Sequence, residues 1–430
     1  MKKKVVSVML LVALVGSSLS ATTITAYAED HDPVNLTFWG WTASDFEAKS
    51  IQDGLDAFQE KYPWITVEYM TVPSADYHTK LKTALASGSG PDVFYLDATQ
   101  CTDFVKANLL MDITDIAGDF TQNMTDASLQ KVSMTDADGN THVYGLDICN
   151  VGPEIFYNKD LFEKYNVEVP TTYDEFLNVC QTFKDAGITP LAMGNSDPWT
   201  ACHYISTFNS MCVPSDVRAV DNNYKTGTFT DEGYVQALNM LKDLNDKGYF
   251  TENTNSIDFE VARNDFLTGN AAMTYMQSIE FRRCAENNLN AGAFKIPFPE
   301  GEDGDPELVT GSPEGFKISK SCKNPEIAIE FLKLMTSKPW QERMITQLSS
   351  PASVQGIHNE ENSDALTLQA VDIYSKASGF ANWLDADIHS KIADVYVPGL
   401  QEVIAGTVTP EDLMFEVQEI AEEVQGDSEE

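Results

Sequence analysis

From Asn35 to Leu96, short segments with a strand-like period alternate with segments of helical period, an order that points to a sheet covered by helices. Asn35-Leu36-Thr37-Phe38-Trp39 alternates polar and apolar side chains, as a half-buried strand does. Ile51, Leu55, Phe58 and Tyr62 then recur at helical spacing, and Pro63 stops the run. Ile65 to Met70 reads as the next strand, Leu81 to Ala86 as a short helix, and Asp92 to Leu96 as a buried strand after a Gly-Ser-Gly-Pro break. This βαβαβ order predicts a parallel or mixed α/β sheet.

Later helices carry clear start signals. Thr172-Tyr173-Asp174-Glu175 has the form of a capping box, followed by Phe176, Val179, Cys180 and Phe183 on one face and by Gly187 as a stop. Pro325 opens a helix with Ala328, Phe331, Leu332 and Met335 inward. Thr409-Pro410 opens the last one, with Leu413, Val417, Ile420 and Val424 on one face. The 430 residues exceed one typical core, so two domains are expected. No internal repeat and no low-complexity linker separates them, which predicts a chain that crosses between lobes more than once. The last residues, 426–430, read as frayed.

The amino terminus reads as an export signal. Lys2, Lys3 and Lys4 precede an apolar run from Val5 to Val15, and Ala26-Tyr27-Ala28 fits the rule for signal-peptidase cleavage after Ala28. The run is short for a permanent membrane anchor, and no later segment approaches the ~18 apolar residues that one needs. Removing residues 1–28 takes away three lysines and no acid, so the formal net charge moves from −38 to −41. Such a chain does not bind nucleic acid or an anionic membrane surface by electrostatics. Seven cysteines is an odd number, so at least one is unpaired, and without a C-x-x-C spacing they read as buried apolar thiols.

Catalytic signatures are missing. There is no H-E-x-x-H, no phosphate-binding G-x-x-x-x-G-K-[ST] and no G-x-S-x-G, and the six histidines show no metal-ligand spacing. No cofactor and no metal site is expected. Asp136-Ala137-Asp138-Gly139-Asn140 imitates a calcium loop, but its glycine stands fourth rather than sixth, so a hairpin turn is the better reading. Aromatic residues stand out more. Trp41, Trp199 and Trp383 lie in polar settings beside Asp or Asn, where an indole can stack on a sugar ring while carboxylates and amides take its hydroxyls. Packing in core or rim competes with that reading for each, and packing is the reading for Trp64 and Trp340.

Taken together, several segments resemble the extracellular solute-binding proteins of carbohydrate ABC importers, the family of maltose-binding protein. The marks are Leu85-Ala86-Ser87-Gly88-Ser89-Gly90-Pro91-Asp92-Val93, Val143-Tyr144-Gly145-Leu146, Phe156-Tyr157-Asn158-Lys159-Asp160-Leu161-Phe162, Phe266-Leu267-Thr268-Gly269-Asn270-Ala271-Ala272-Met273 and Gly315-Phe316-Lys317-Ile318-Ser319-Lys320. The resemblance implies an α/β, two-lobed periplasmic-binding-protein fold of type II, with the ligand cleft between lobes joined by a multi-segment hinge. It places the signal at 1–28, one lobe at 29–150 and 314–350, and the other at 151–313 and 351–430. It implies crossings near Val151 to Pro153, Val309 to Pro313 and Pro351 to Gln355.

Ligand contacts carried over from the family are Trp41, Ser44 and Asp45 after the first strand, and Asp97, Thr99 and Gln100 after Leu96. Asp147 and Asn150 come from the first crossing, Trp199 from an acid-Pro-aromatic turn, and Gln277 and Glu280 from the segment after Ala271-Ala272-Met273. Gly311 and Ser312 come from the second crossing, and Trp383 with Asp385 from the C-terminal part. Asp147 stands where the family has a proline, and Ser278-Ile279-Glu280 where it often has a tryptophan. The expected partners are a carbohydrate, favoured as an oligosaccharide, and the membrane permease subunits of an importer, with the chain itself a monomer. Competing classes are a secreted carbohydrate-active enzyme using Asp97 and Glu280, and an adhesion module without a small-molecule site. Exported relatives often carry a lipid on a cysteine; here Leu19-Ser20-Ala21 is followed by Thr22, so no such cysteine is present and the protein is expected at the cell surface or in a periplasm.

Overall fold

The computed structural model describes residues 32–41, 45–72, 74–97, 101–135, 138–223, 225–348 and 351–427. The export signal, Ser44, Thr99, Gln100 and the first two residues of the calcium-loop mimic lie outside the described residues. In chain order the strands are β1 (Val34–Trp41), β2 (Ile65–Val72), β3 (Val93–Asp97), β4 (Ser133–Thr135), β5 (Thr141–Val143), β6 (Leu146–Val151) and β7 (Pro153–Asn158). They continue with β8 (Thr189–Ala192), β9 (Ala271–Gln277), β10 (Ala291–Phe294), β11 (Leu308–Thr310), β12 (Ser312–Ile318) and β13 (Gly379–Ala381).

The βαβαβ start folds as its periodicity predicts. β1 pairs in parallel with β2 on one side and with β3 on the other. Leu36 and Phe38 of β1 are buried, and Ile51, Leu55 and Phe58 of the helix Asp45–Lys61 join them in one core. The second helix is longer than its sequence pattern suggests, running Ser74–Ala86. Its first turn was masked by polar residues, yet Tyr77 and Leu81, four apart, are both fully buried. β12 then enters antiparallel between β3 and β6, giving the order β2-β1-β3-β12-β6.

A second sheet has the order β10-β7-β9-β8. On one face it packs the helix Tyr173–Asp185, whose capping box is present as read: Glu175 N donates to Thr172 Oγ1 at 3.2 Å, and Thr172 N donates to Glu175 Oε2 at 3.2 Å. Its buried face is Phe176, Val179, Cys180 and Phe183, each phenylalanine contributing about 1.5–3 kcal/mol by burial. The same core takes Leu413, Val417 and Val424 of the last helix, Pro410–Asp427. The other face packs Leu366 and Ala370 of the helix Ala365–Lys376.

Two short parallel strands, β11 and β13, stand apart from both sheets. They sit where the chain passes between them. β6 of the first sheet runs into β7 of the second through Gly152, and β11 runs into β12 of the first sheet through Gly311. Ser312 pairs with Val151, so the two passages lie side by side. Gly311 adopts φ +145, and a Cβ there would stand 2.3 Å from the Val151 carbonyl oxygen, so glycine is required twice over. The stretch after the helix Lys338–Leu348 stays with the first sheet for some residues: Ala352 bridges Cys149, and Val354 bridges Met124.

Two further expectations are met by local structure. β4 and β5 pair antiparallel with Thr135 opposite Thr141, as expected of strands joined by a hairpin connection. All seven cysteines are buried, and none forms a disulfide. Among the described residues no helix is long and apolar enough to cross a membrane, and no group of three or more His, Cys, Asp or Glu side chains could hold a metal ion.

Candidate ligand site

The carboxyl ends of parallel strands are where an open α/β sheet exposes backbone and loops to a ligand. Trp41 closes β1, Asp45 opens the helix that follows, and Asp97 closes β3 beside Glu314 of β12. The backbone therefore brings these positions to one edge of the first sheet; their side chains lie outside the described residues.

The helix Trp199–Cys212, buried along nearly its whole length, carries the second group of expected contacts. Trp199, His203 and Thr207 recur every four residues and form one stripe. The Trp199 indole meets Phe259 edge-on at 4.7 Å between centroids and His203 at 4.9 Å. His203 in turn stacks on Trp383 at 4.1 Å and 27°. Thr207 Oγ1 donates to Thr310 Oγ1 of β11 at 2.8 Å and shares a 2.5 Å hydrogen bond with Tyr275 of β9. Two of the three tryptophans singled out in the sequence, Trp199 and Trp383, thus belong to one aromatic array, joined by a histidine that sequence reasoning missed.

Their roles differ. Trp199 is only half-buried, so part of its ring remains available. Trp383 is 8% exposed and has one face covered by His203, so it acts as a wall behind the array. Burial pushes the His203 ring down to about 3, which keeps it neutral between the two indoles. Asp385 is exposed on the short helix Leu384–Asp387.

Phe259 extends the array toward charge. The guanidinium of Arg263 lies 5.3 Å from the Phe259 centroid and donates from Nη1 to Glu280 Oε2 at 3.0 Å, while Arg283 Nε reaches the same oxygen at 2.5 Å. Glu280, expected as a ligand contact, has that oxygen taken by two arginines. His203 could have been found from its place four residues after Trp199; Phe259 and Arg263 carry no sequence signal that marks them.

The remaining positions divide between hinge and interior. Gln277 ends β9 opposite Pro153, and Ser278 fastens the crossing by donating from its N to Gly152 O at 3.0 Å and from Oγ to Asn150 O at 3.1 Å. Asn150 donates from Nδ2 to Ala352 O at 3.3 Å and accepts from Ser353 Oγ at 3.3 Å. Gly311 N donates to Ala381 O at 2.9 Å, two residues before Trp383, and Ser312 is fully buried, its Oγ donating to Pro313 O at 2.8 Å. Asp147 departs most from its expected role. Its side chain is wholly buried and pairs with the equally buried Lys317 at 2.5 Å, while accepting from Ser128 Oγ at 3.1 Å. That carboxylate is held inside the first lobe by a lysine two residues along β12 from Gly315, the residue that pairs with Asp147.

With the fold and array in view, comparison with known proteins places the chain. Residues 43–342 match the model of the bacterial extracellular solute-binding protein family, and the chain belongs to that family. It is 24% identical over 316 residues to the multiple sugar-binding protein of Streptococcus mutans serotype c, covering 71% of this chain and 72% of that one. It is 22% identical over 389 residues to the melibiose/raffinose/stachyose-binding protein MelE of Bacillus subtilis, covering 87% and 84%. Among solved structures, a chitin oligosaccharide binding protein superposes with a TM-score of 0.79 at 23% identity, covering 92% of this chain and 100% of that one. A raffinose complex of RafE superposes with a TM-score of 0.72 at 19% identity, covering 91% and 99%. The architecture is thus the two-lobed fold of these binding proteins, and the family is one of binding proteins rather than enzymes.

Proposed function

We propose that this chain captures an oligosaccharide between its two lobes and presents it to the permease of an ABC importer, without chemical change to the sugar. One observation carries the reading: a half-exposed Trp199 backed by His203, Trp383 and Phe259 in one aromatic array. A rigid aromatic surface suits the C–H face of a sugar ring, and polar loops suit its hydroxyls. The names of the sugar-binding relatives support the same class of ligand. Trp199 is the stacking residue in this reading, with Trp41, Asp45, Asp97, Gln277 and the loop positions Ser44, Thr99 and Gln100 completing the cleft. Asn150, Gly311 and Ser312 shape the hinge beneath the sugar, and Glu280 orients the arginines at its rim.

The lobes in this reading comprise 29–150 with 314–350, and 151–313 with 351–430. The protein acts as a monomer outside the cytoplasm after cleavage behind Ala28. The sugar favours closure to the extent that it touches both lobes in the closed form and only one in the open form. Titration calorimetry with raffinose, stachyose, xylo-oligosaccharides and chito-oligosaccharides tests the reading. We expect saturable binding to at least one, weakened by about 1–3 kcal/mol in Trp199→Ala. Product formation from the bound sugar, or an unchanged affinity in Trp199→Ala, overturns it.

A further inference from the structure

The chain holds 66 acidic and 28 basic residues, yet one cavity between the lobes reverses that balance. Its volume is about 1210 Å³, and its lining includes Lys82, Lys106, Lys131 and Arg218 against two carboxylates, Asp305 and Asp387. The lysines come from the first lobe, on the helices Ser74–Ala86, Cys101–Lys106 and Asp126–Lys131; Arg218 comes from the helix Ser215–Asp221 of the second.

This cavity is not the aromatic cleft seen from another angle. Asn382 and Trp383 follow β13 in extended backbone, where successive side chains point to opposite sides. Trp383 packs on His203, whereas Asn382 lines the cavity and accepts from Lys131 Nζ at 2.5 Å. Neither Trp199, His203 nor Phe259 belongs to the lining.

The two acids do not neutralise the four bases. Both oxygens of Asp387 accept amide hydrogens, from Asn382 Nδ2 at 2.5 Å and from Asn222 Nδ2. Asp305 accepts from Ser378 Oγ at 3.2 Å and from Glu307 N at 2.9 Å. On the cationic side, Arg218 donates from Nε to Val213 O and from Nη2 to Ser215 Oγ, each at 3.2 Å, which leaves Nη1 without a hydrogen bond among the described residues. Lys82 and Lys106 are exposed and have neither a hydrogen bond nor an ion pair among the described residues. Burial makes the charged forms of Lys131 and Arg218 harder to hold, and each also feels Asp387. The bland alternative, lysines scattered over a solvated face, does not account for a half-buried lysine and a half-buried arginine lining one cavity in so acidic a chain.

We propose that this cavity binds a small phosphate-bearing anion, held by Lys131 and Arg218 at its floor and by Lys82 and Lys106 at its rim. A phosphate group offers several acceptor oxygens to ammonium and guanidinium donors, which a neutral sugar does not. Leu308, Phe380 and Ile388 give the same cavity an apolar wall for the organic part of such a molecule.

Calorimetric titration of the full chain with inorganic pyrophosphate, at constant ionic strength set by chloride, tests the assignment. We expect saturable binding, weakened about tenfold or more in Lys131→Gln and in Arg218→Gln, since each removes a charge-assisted hydrogen bond. Lys106→Gln, an exposed position whose replacement leaves the fold intact, weakens binding severalfold. Lys323→Gln, exposed and outside the lining, leaves it unchanged. Absence of saturable binding, or equal affinity in Lys106→Gln, Lys131→Gln and the unaltered protein, overturns the proposal.

Discussion

The Asp147–Lys317 pair gives a sharp test of how the first lobe is held together. Both side chains are 0% exposed, at 2.5 Å from one another, and Lys317 Nζ also donates to Leu96 O at 3.0 Å. Leu96 immediately precedes Asp97, so the pair ties β6 and β12 to the end of β3. Lys317→Met keeps the apolar stem but removes the ammonium. It leaves a buried carboxylate without its counter-charge and a buried carbonyl without a donor. Breaking one side of a buried pair costs about 3–5 kcal/mol. For a lobe of this size that lowers the melting temperature by roughly 6–20 °C. Lys317→Met with Asp147→Leu removes both charges and returns to within about 1–2 kcal/mol of the unaltered protein, because burying the pair itself carried a large desolvation cost. The assay is urea unfolding of both single variants and the double variant, read as a cycle with a coupling of about 2 kcal/mol or more. A single variant within about 1 kcal/mol of the parent, or a double variant no more stable than either single one, refutes the reasoning. The double variant also bears on the site: its affinity for the sugar found by titration stays unchanged if Asp147 serves only the interior.

The other predictions follow from the hinge, the histidines, the thiols and the arginine pair. Gly311→Ala forces a Cβ against the Val151 carbonyl at positive φ, and should destabilise the protein by about 1–3 kcal/mol in thermal unfolding. Burial pushes His203 down to about 3 and His358 to about 4, so between there and about 6.5 the unfolded chain binds more protons. Stability from these rings is then complete above about pH 6.5 and is lost as pH falls toward 4, at up to roughly 1.4 kcal/mol per unit for each ring; His203→Gln should flatten the slope in pH-dependent melting. All seven thiols are buried and none is in a disulfide, so a thiol reagent should react slowly with native protein and count seven in denaturant, and a reductant should not change the melting temperature. Glu280→Gln removes the negative charge shared by Arg263 and Arg283, and should cost about 1–3 kcal/mol of stability because the nearly buried Arg263 is left with Glu260 as its one counter-charge among the described residues.

The fold was largely legible because its signals are local. The capping box at Thr172, the helix opened by Pro325 and the strand of Leu36 and Phe38 each depend on residues a few positions apart. The site was legible only in part, because its decisive contacts join residues far apart in sequence. Trp199 and Trp383 were visible as unusual, but that His203 stacks between them depends on how the helix Trp199–Cys212 docks against the segment after β13. Asp147 looked like a ligand contact because it stands where the family has a proline. What decides its direction is Lys317, 170 positions later on a neighbouring strand. Glu280 misled similarly, since nothing near it in sequence announces Arg263 as its partner.

The same helix links the half-exposed Trp199 to the passage between the sheets through packed side chains. Its stripe of every fourth residue begins with Trp199 at the exposed end, continues with His203 on Trp383, and reaches Thr207 on Thr310 and Tyr275. Thr310 is the residue before Gly311, where the chain turns back into the first sheet. Trp383 follows Ala381, whose carbonyl accepts from Gly311 N. A force on the Trp199 ring is therefore passed through two packed layers to both sides of the passage at Gly311, with no flexible loop between. The helix is anchored at Tyr275 in the second sheet, so it moves with that lobe. Any ligand that pulls Trp199 toward the first sheet consequently has Gly311 and its neighbour Gly152 as the points that must turn.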